Sequence, residues 1–367
     1  MRNKTCVVVG AGLAGATAAW KIDMHPDWTV KVYEAMPEVG GQLRMATLNR
    51  IPYEPHGPHI FHTDNLDAFM ALGKHGALNT YQHHVLSELP DGRRFTWPLQ
   101  KSELKNIPEW RQIAAELDNR PLHPTGSDFE TYAVSLMGRT LYEWFCEGYT
   151  MKQWGMDPRR LSSSFAPKRL DLRIDDDRRM FRNKWQGWMP GGFQQVVESM
   201  LAGIEIQLGQ LITFSNLPDA DAYVITSPLD TFLERDGMLP WRGVRSVATY
   251  YNDHLRHLAA PVVNRPDPHV PFTREVDTSQ MAWHDATKRK GNGTIIVREY
   301  PGAPVKHYPV DDAAGENRSA WREMRQLVSE LLPTAVLAGR LATYTYIDMD
   351  AAITQGLNAA RRVLGPR

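Results

Sequence analysis

Gly10, Gly12 and Gly15 form a G-x-G-x-x-G run, and Glu34 follows at roughly the 20-residue spacing by which a dinucleotide's pyrophosphate and ribose are held. Gly10 permits a tight turn out of a strand, Gly12 leaves backbone open to the pyrophosphate, and Gly15 lets the next helix pack closely. The N-terminus of that helix offers unpaired N–H groups to the anion. A second glycine turn, Gly40-Gly41-Gln42, lies just past the acid, as FAD folds often have. No second G-x-G-x-x-G occurs downstream, so a separate nicotinamide domain is not expected.

His56, His59 and His62 stand in HGPHIFHT. No acid or thiol cluster completes a ligand set there, so no metal site is expected. Such a loop, after a dinucleotide unit, reads as backbone and imidazole wrapped against a flavin, or as a packed loop with one exposed imidazole. GYTMKQWG (148–155) sets Tyr149 and Trp154 beside Thr150, Lys152 and Gln153, a stacking face with hydrogen-bonding groups for a planar polar ligand, or else core. Arg169, Arg245, Arg274 and Arg340 sit in separate segments. Guanidinium geometry matches a diphosphate, although each also reads as a surface ion-pair residue.

The elements that must position these residues follow from periodicity. Residues 4–35 read as strand, turn, helix, strand. Helical spacing dominates from about Asp67 to Trp154, with helices over 66–75, 107–119, 128–137 and 140–148, an inserted helical domain. Residues 157–186 are rich in Arg and Asp with little period, a solvated segment able to move over a site. Strands are expected at 204–208, 222–226, 244–251, 281–284 and 294–300, then helices over 320–332 and 350–364.

Composition narrows the partners. The chain has 367 residues with 42 basic and 42 acidic side chains, a balance without the electrostatic footprint of a nucleic-acid or anionic-membrane binder. Cys6 and Cys146 are the two cysteines, too few for a disulfide framework. The first apolar run leads into glycines rather than a signal-peptide core, and no long apolar span appears. The expected setting is cytoplasmic and membrane-free.

Taken together, these segments resemble the UDP-galactopyranose mutase family over nearly the whole chain. The carriers are GAGLAG (10–15), GGQ (40–42), GPHIFHT (57–63), WPL (97–99), GYTMKQWG (148–155), PKR (167–169), PGGF (190–193), PFTR (271–274), EYP (299–301), YPV (308–310) and GRLATYTYIDM (339–349). The resemblance implies a flavin-dependent isomerase that interconverts pyranose and furanose forms of a nucleotide-diphosphate sugar, by default UDP-galactose, with reduced FAD attacking the anomeric carbon. It implies an α/β chain, α+β overall. An FAD-binding Rossmann-like domain would be assembled from 1–66, about 191–240 and 310–367, a helical domain would span 67–155, and an antiparallel sheet domain would take 156–190 and about 241–309. A homodimer through the helical domain is also implied.

By position, the resemblance places Gly10, Gly12, Leu13, Gly15, Glu34, Gly41, Gln42, His59, Ile60, Arg340, Tyr346, Ile347, Asp348 and Met349 on the cofactor. It places Thr96, Tyr149, Thr150, Trp154, Arg169, Met180, Arg245, Arg274, Tyr308 and Tyr346 on the substrate, with Arg169, Arg274 and His59 as the catalytic set. Departures from the family pattern are Pro58, Thr96, Cys146, Glu147, Met180 for a tyrosine, Trp185, and His307 for a tyrosine. The fingerprint alone also admits a flavin oxidoreductase of the amine-oxidase type, or a flavin-bound protein that binds a nucleotide sugar without turnover.

Overall fold

The run Cys6–Val9 is buried residue after residue, the pattern of a central strand covered on both faces. The computed structural model of the chain describes residues 4–253, 255–277, 280 and 293–365. Strands β1 (Lys4–Val9) and β2 (Trp28–Glu34) are joined by helix α1 (Leu13–Asp23). They lie in a five-stranded sheet ordered Glu205–Leu208, β2, β1, Ala222–Ile225, Ala335–Leu337, and every pair is parallel. The turn between β1 and α1 has two strict requirements. Gly10 sits at φ 104°, a region L side chains avoid, and a Cβ on Gly15 would lie 2.0 Å from the Gly10 carbonyl oxygen.

A six-stranded sheet forms the second unit, ordered Trp241–Tyr251, Thr294–Pro309, Arg274–Asp277, Val262–Asn264, Val85–Glu88, Arg94–Trp97. Two expectations are corrected here. Residues 85–97 do not belong to a helical insertion, because their two-residue alternation and the intervening Pro90-Asp91-Gly92 turn make a hairpin. That hairpin joins the sheet through a parallel pairing of Val85–Ser87 with Val262–Asn264, so the sheet is mixed rather than antiparallel throughout. Helix Leu66–Gly73 also leaves the insertion: it packs on the C-terminal helix Met349–Leu364, with Arg361 3.3 Å from Asp67.

The helical part is therefore shorter, from Lys101 to Trp154. Its last stretch is continuous: Arg139–Tyr142, a π-helical turn at Glu143–Glu147, then Gly148–Trp154. Wide turns of this kind re-aim side chains at functional sites, and this one precedes the Tyr149–Trp154 motif. The Arg/Asp-rich segment is less irregular than its sequence suggests. Leu172–Arg173 pairs with Leu99–Gln100, and Trp185–Gly187 pairs with Phe61–Thr63. Its charges meet one another, with Arg173 2.8 Å from Asp171 and Arg182 2.8 Å from Asp175. The strand expected at 281–284 lies outside the described residues. Among the described residues no helix is long and apolar enough to cross a membrane.

Lys152 ties the helical part to the mixed sheet. Its ammonium donates to the carbonyls of Arg265 (2.5 Å), Asp267 (2.7 Å), Val270 and Phe272 (both 3.0 Å), gathering the loop that leads into Arg274. An ammonium has three protons, so at least one is shared. Lys152→Met removes the donor and leaves the carbonyls to find water, at an expected cost of about 2–4 kcal/mol. A denaturant midpoint equal to that of the unsubstituted protein would contradict this role.

Candidate active site

Two adjoining cavities occupy the junction of the sheets. The first, of about 440 Å³, runs along the carboxyl ends of the parallel strands and is lined by Gly10, Gly12, Leu13, Gly15, Glu34, Gly41 and Ile347, among others. The carboxyl end of an open parallel sheet is where such folds take ligands. α1 starts at Gly12 with no side-chain cap, so its first N–H groups face the cavity unsatisfied. Glu34 closes the far side. Its carboxylate accepts the N–H of Ala11 at 2.7 Å and of Met36 at 2.9 Å, which braces the glycine turn and still leaves lone pairs for a ribose hydroxyl. The buried hydroxyl oxygen of Ser227 has no partner among the described residues, and Ser227 lines the same cavity. A cavity with an uncapped helix start, an acid at the strand end and an orphaned hydroxyl fits the dinucleotide that the glycine spacing implies, as FAD would require.

The second cavity, of about 270 Å³, meets the first along Gln42, His56, His59, Arg340, Asp348 and Met349. Gln42 fixes this seam: its amide donates to the His307 carbonyl at 3.1 Å and its oxygen accepts from Arg340 at 2.8 Å. Arg340 also donates to the Ile347 carbonyl at 2.6 Å. Its guanidinium lies 5.1 Å from the Tyr308 ring centre and 4.9 Å from that of Tyr346. These two rings stack at 5.2 Å. Arg169 covers Tyr346 at 4.5 Å and donates to Asp348 at 2.8 Å. Arg274, in the mixed sheet, donates to the buried Glu299 at 2.6 Å. Three guanidiniums thus line one cavity against two carboxylates, a surplus of positive charge suited to an anion that accepts bidentate hydrogen bonds. Burial alone would raise the Asp348 pKa, but Arg169, His62 and Arg340 hold it below the usual carboxylate range.

The far end of this cavity is apolar and aromatic, with Trp97, Phe129, Phe145 and Cys146. Tyr149, Thr150 and Trp154 line it, as do Ile60 and Met180. Two residues expected in the site lie elsewhere. Thr96 is buried beside the cavity with its hydroxyl donating to Glu103 at 2.7 Å, because strand alternation turns it away from Trp97. Arg245 is exposed on Trp241–Tyr251 with its guanidinium 5.2 Å from the Tyr300 ring. Neither lines either of these two cavities. Glu299, Glu54 and Phe181 went unassigned in the sequence. Glu299 stands in the EYP run at 299–301, and its burial opposite Arg274 is invisible without the sheet register. Phe181 lies in the charged segment and stacks on His62 at 3.6 Å.

Several imidazoles here are held neutral. The His56 Nε2 accepts an Arg44 N–H at 3.0 Å, which leaves its proton on Nδ1. The His307 Nδ1 accepts the Val244 N–H at 3.1 Å, which leaves its proton on Nε2. Burial, then the charges of His307, Arg44 and His59, push the His56 pKa down to about 3. Burial, then Arg340, Arg44 and His59, lowers that of His307 to about 4. His83 falls to about 3 through burial and then Arg274.

Comparison with known proteins extends these observations. The family description "UDP-galactopyranose mutase" matches residues 144–346, and "NAD(P)-binding Rossmann-like domain" matches residues 8–73. The chain is 28% identical to the probable UDP-galactopyranose mutase of Klebsiella pneumoniae, across 99% of this chain and 96% of that protein. It is 26% identical to the dTDP-fucopyranose mutase of Escherichia coli, across 97% of each. A crystal structure of reduced UDP-galactopyranose mutase shares the fold at a TM-score of 0.80 and 17% identity, covering 98% of this chain and 95% of that one.

The three depressed histidines set a pH dependence. Their folded pKa values lie below the unfolded value near 6.5, so the unfolded chain binds more protons between those limits. Stability is therefore full above pH 6.5 and is lost as pH falls toward 4. Thermal midpoints should be flat from pH 7 to 8 and drop below pH 6, less steeply in His56→Gln. An equally steep drop in that variant would remove His56 from the account.

Proposed function

The chain belongs to the UDP-galactopyranose mutase family, an FAD-dependent isomerase family with the α/β fold described above, and from that premise we propose the following assignment of substrate and residues. The reaction is pyranose–furanose interconversion of a nucleotide-diphosphate sugar. UDP-galactose is the default substrate, and a dTDP-linked deoxy sugar is the variant suggested by the relative from Escherichia coli. The observation that carries the reading is the convergence of Arg169, Arg274 and Arg340 around the stacked Tyr308 and Tyr346, directly across the seam from a dinucleotide cradle.

When bound and reduced, FAD supplies a nucleophile for the anomeric carbon, which accounts for a flavin in a reaction with no net redox change. The chain's own residues do the rest. Gly10, Gly12, Leu13, Gly15, Glu34, Gly41 and Gln42 hold the dinucleotide, and His59, Ile60, Arg340 and Tyr346–Met349 flank its reactive end. Arg169 and Arg274 bind the diphosphate both as substrate and as leaving group, keeping it close while the sugar is detached. Their carboxylate partners, Asp348 and Glu299, fix each guanidinium plane. Tyr149, Thr150 and Trp154 take the nucleoside against the aromatic end. The segment bearing Arg169 closes over the cavity and excludes water from the activated sugar. A second copy of the chain binds the helical part, where Leu122 and Met151 are exposed. The buried free thiols Cys6 and Cys146 suit the cytoplasm.

The test is anaerobic incubation of dithionite-reduced protein with UDP-galactofuranose and, separately, dTDP-fucofuranose, following the pyranose product by chromatography. Conversion by reduced but not oxidised protein is expected. Absence of conversion of either sugar by reduced, FAD-loaded protein counts against the substrate assignment. Arg169→Ala should slow turnover by ~100-fold or more while FAD stoichiometry stays at the unsubstituted level. Undiminished turnover in that variant would sink its role.

A further inference from the structure

His59 belongs to both cavities, yet nothing in the family reading says how its ring is held. The local geometry does. The backbone N–H of His59 donates to Glu54 Oε2 at 2.8 Å, so the carboxylate closes the 54–59 loop around Gly57. The other oxygen, Oε1, lies 3.3 Å from His59 Nδ1. Among the described residues neither Glu54 Oε1 nor His59 Nδ1 has a hydrogen-bond partner elsewhere, and both atoms are sealed from solvent. At that distance Oε1 is the acceptor that a proton on Nδ1 would face. The Glu54 side chain is 1% exposed and that of His59 18%. The exposure of the ring therefore lies away from Nδ1, on the cavity side.

We propose that Glu54 is a positioning residue for His59: its buried carboxylate holds the ring proton on Nδ1 and leaves the Nε2 lone pair facing the seam between the two cavities. A carboxylate behind an imidazole sets tautomer and orientation together. Other titratable or charged groups around this ring are His56, His307, Arg340 and Asp348. His56 and His307 already have their tautomers fixed by Arg44 and by the Val244 amide, so Glu54 is the group left to orient His59. Pointing Nε2 into the seam as an acceptor suits a site where a hydroxyl proton must be received, at the place where the mutase reading puts the sugar; the proposal rests on that reading for the seam's contents but not for the tautomer.

The experiment uses FAD-loaded full-length protein labelled with ¹⁵N-histidine, the His59 signals being assigned by their loss in His59→Gln. The expected spectrum near pH 7.5 shows a protonated Nδ1 and an unprotonated Nε2. In Glu54→Gln, an amide N–H can donate to Nδ1, and the proton is expected to move to Nε2. With that reversal kcat should fall roughly 10–100-fold with little change in KM or FAD content. Glu54→Asp should restore the Nδ1–H tautomer. A protonated Nε2 in the unsubstituted protein overturns the proposal, and needs no variant to fold. An unaltered tautomer and kcat in Glu54→Gln overturns it as well. Failure of the unsubstituted protein to turn over any nucleotide sugar would remove the mutase reading alone, since the tautomer measurement still decides the role of Glu54.

Discussion

Positive charge gathered in a partly buried cavity is the constraint around which the molecule is built. Three guanidiniums, Arg169, Arg274 and Arg340, line one space answered by two carboxylates, and such a group is tolerable only if every cation is paired or stacked. The fold meets this by bringing each arginine from a different element. Arg169 directly follows a 3₁₀ turn after the helical part, Arg274 comes from the mixed sheet, and Arg340 from the short helix after Ala335–Leu337. Asp348 and Glu299 supply the charge, while Tyr308 and Tyr346 give flat surfaces for the guanidiniums. The surplus that remains is what an incoming diphosphate would neutralise.

Placing three remote arginines in one cavity demands stiff connections, and the polar ties serve that purpose. Gln42 and Arg340 join the glycine turns to the C-terminal segment. Lys152 collects four carbonyls of the loop before Arg274. Arg242 donates to the carbonyls of Gln153 and Lys152 at 2.8 and 2.9 Å, satisfying the exposed end of the helix that carries Tyr149 and Trp154. Removing one such tie shifts an arginine relative to its partners, and displacements of an ångström are costly where a leaving group must be held in line.

The dinucleotide half was legible in the sequence because its requirements are local. Gly10, Gly15 and Glu34 are fixed by backbone conformation and close packing within some thirty residues, and the structure places all three on the first cavity. The substrate half depends on contacts remote in the chain, where periodicity carries no information. Arg169 and Arg274 reach the cavity, but Arg245 does not, and the three look alike as isolated basic residues. What separates them is the register of the mixed sheet, which sets Arg274 opposite Glu299. The hairpin over 85–97 was hidden for a related reason: it lies between helical segments in sequence and finds its sheet partner at Val262–Asn264, about 180 residues away. Glu54 gave no signal beyond being an acid in a histidine-rich loop, since its burial is known only once the loop has closed.

Fold alone does not decide what such a molecule does, for a parallel sheet with a glycine turn at its first strand serves many flavin chemistries. A flavin oxidase needs a cavity that admits an electron donor and lets oxidant reach the ring. Here the space across the seam is occupied by fixed cations, stacked phenols and neutral imidazoles, an arrangement that stabilises an anion as it departs and has no evident use in removing a hydride. His56 and His307 sharpen the contrast. Each is kept uncharged by burial and by the cations around it, so these two imidazoles add hydrogen-bonding capacity without adding to the positive charge. Positive charge is confined to the guanidiniums that would face a diphosphate, while the imidazoles beside them offer neutral hydrogen-bonding groups to a sugar, and that division, more than the sheet that supports it, suits the cavity to moving a sugar between ring forms.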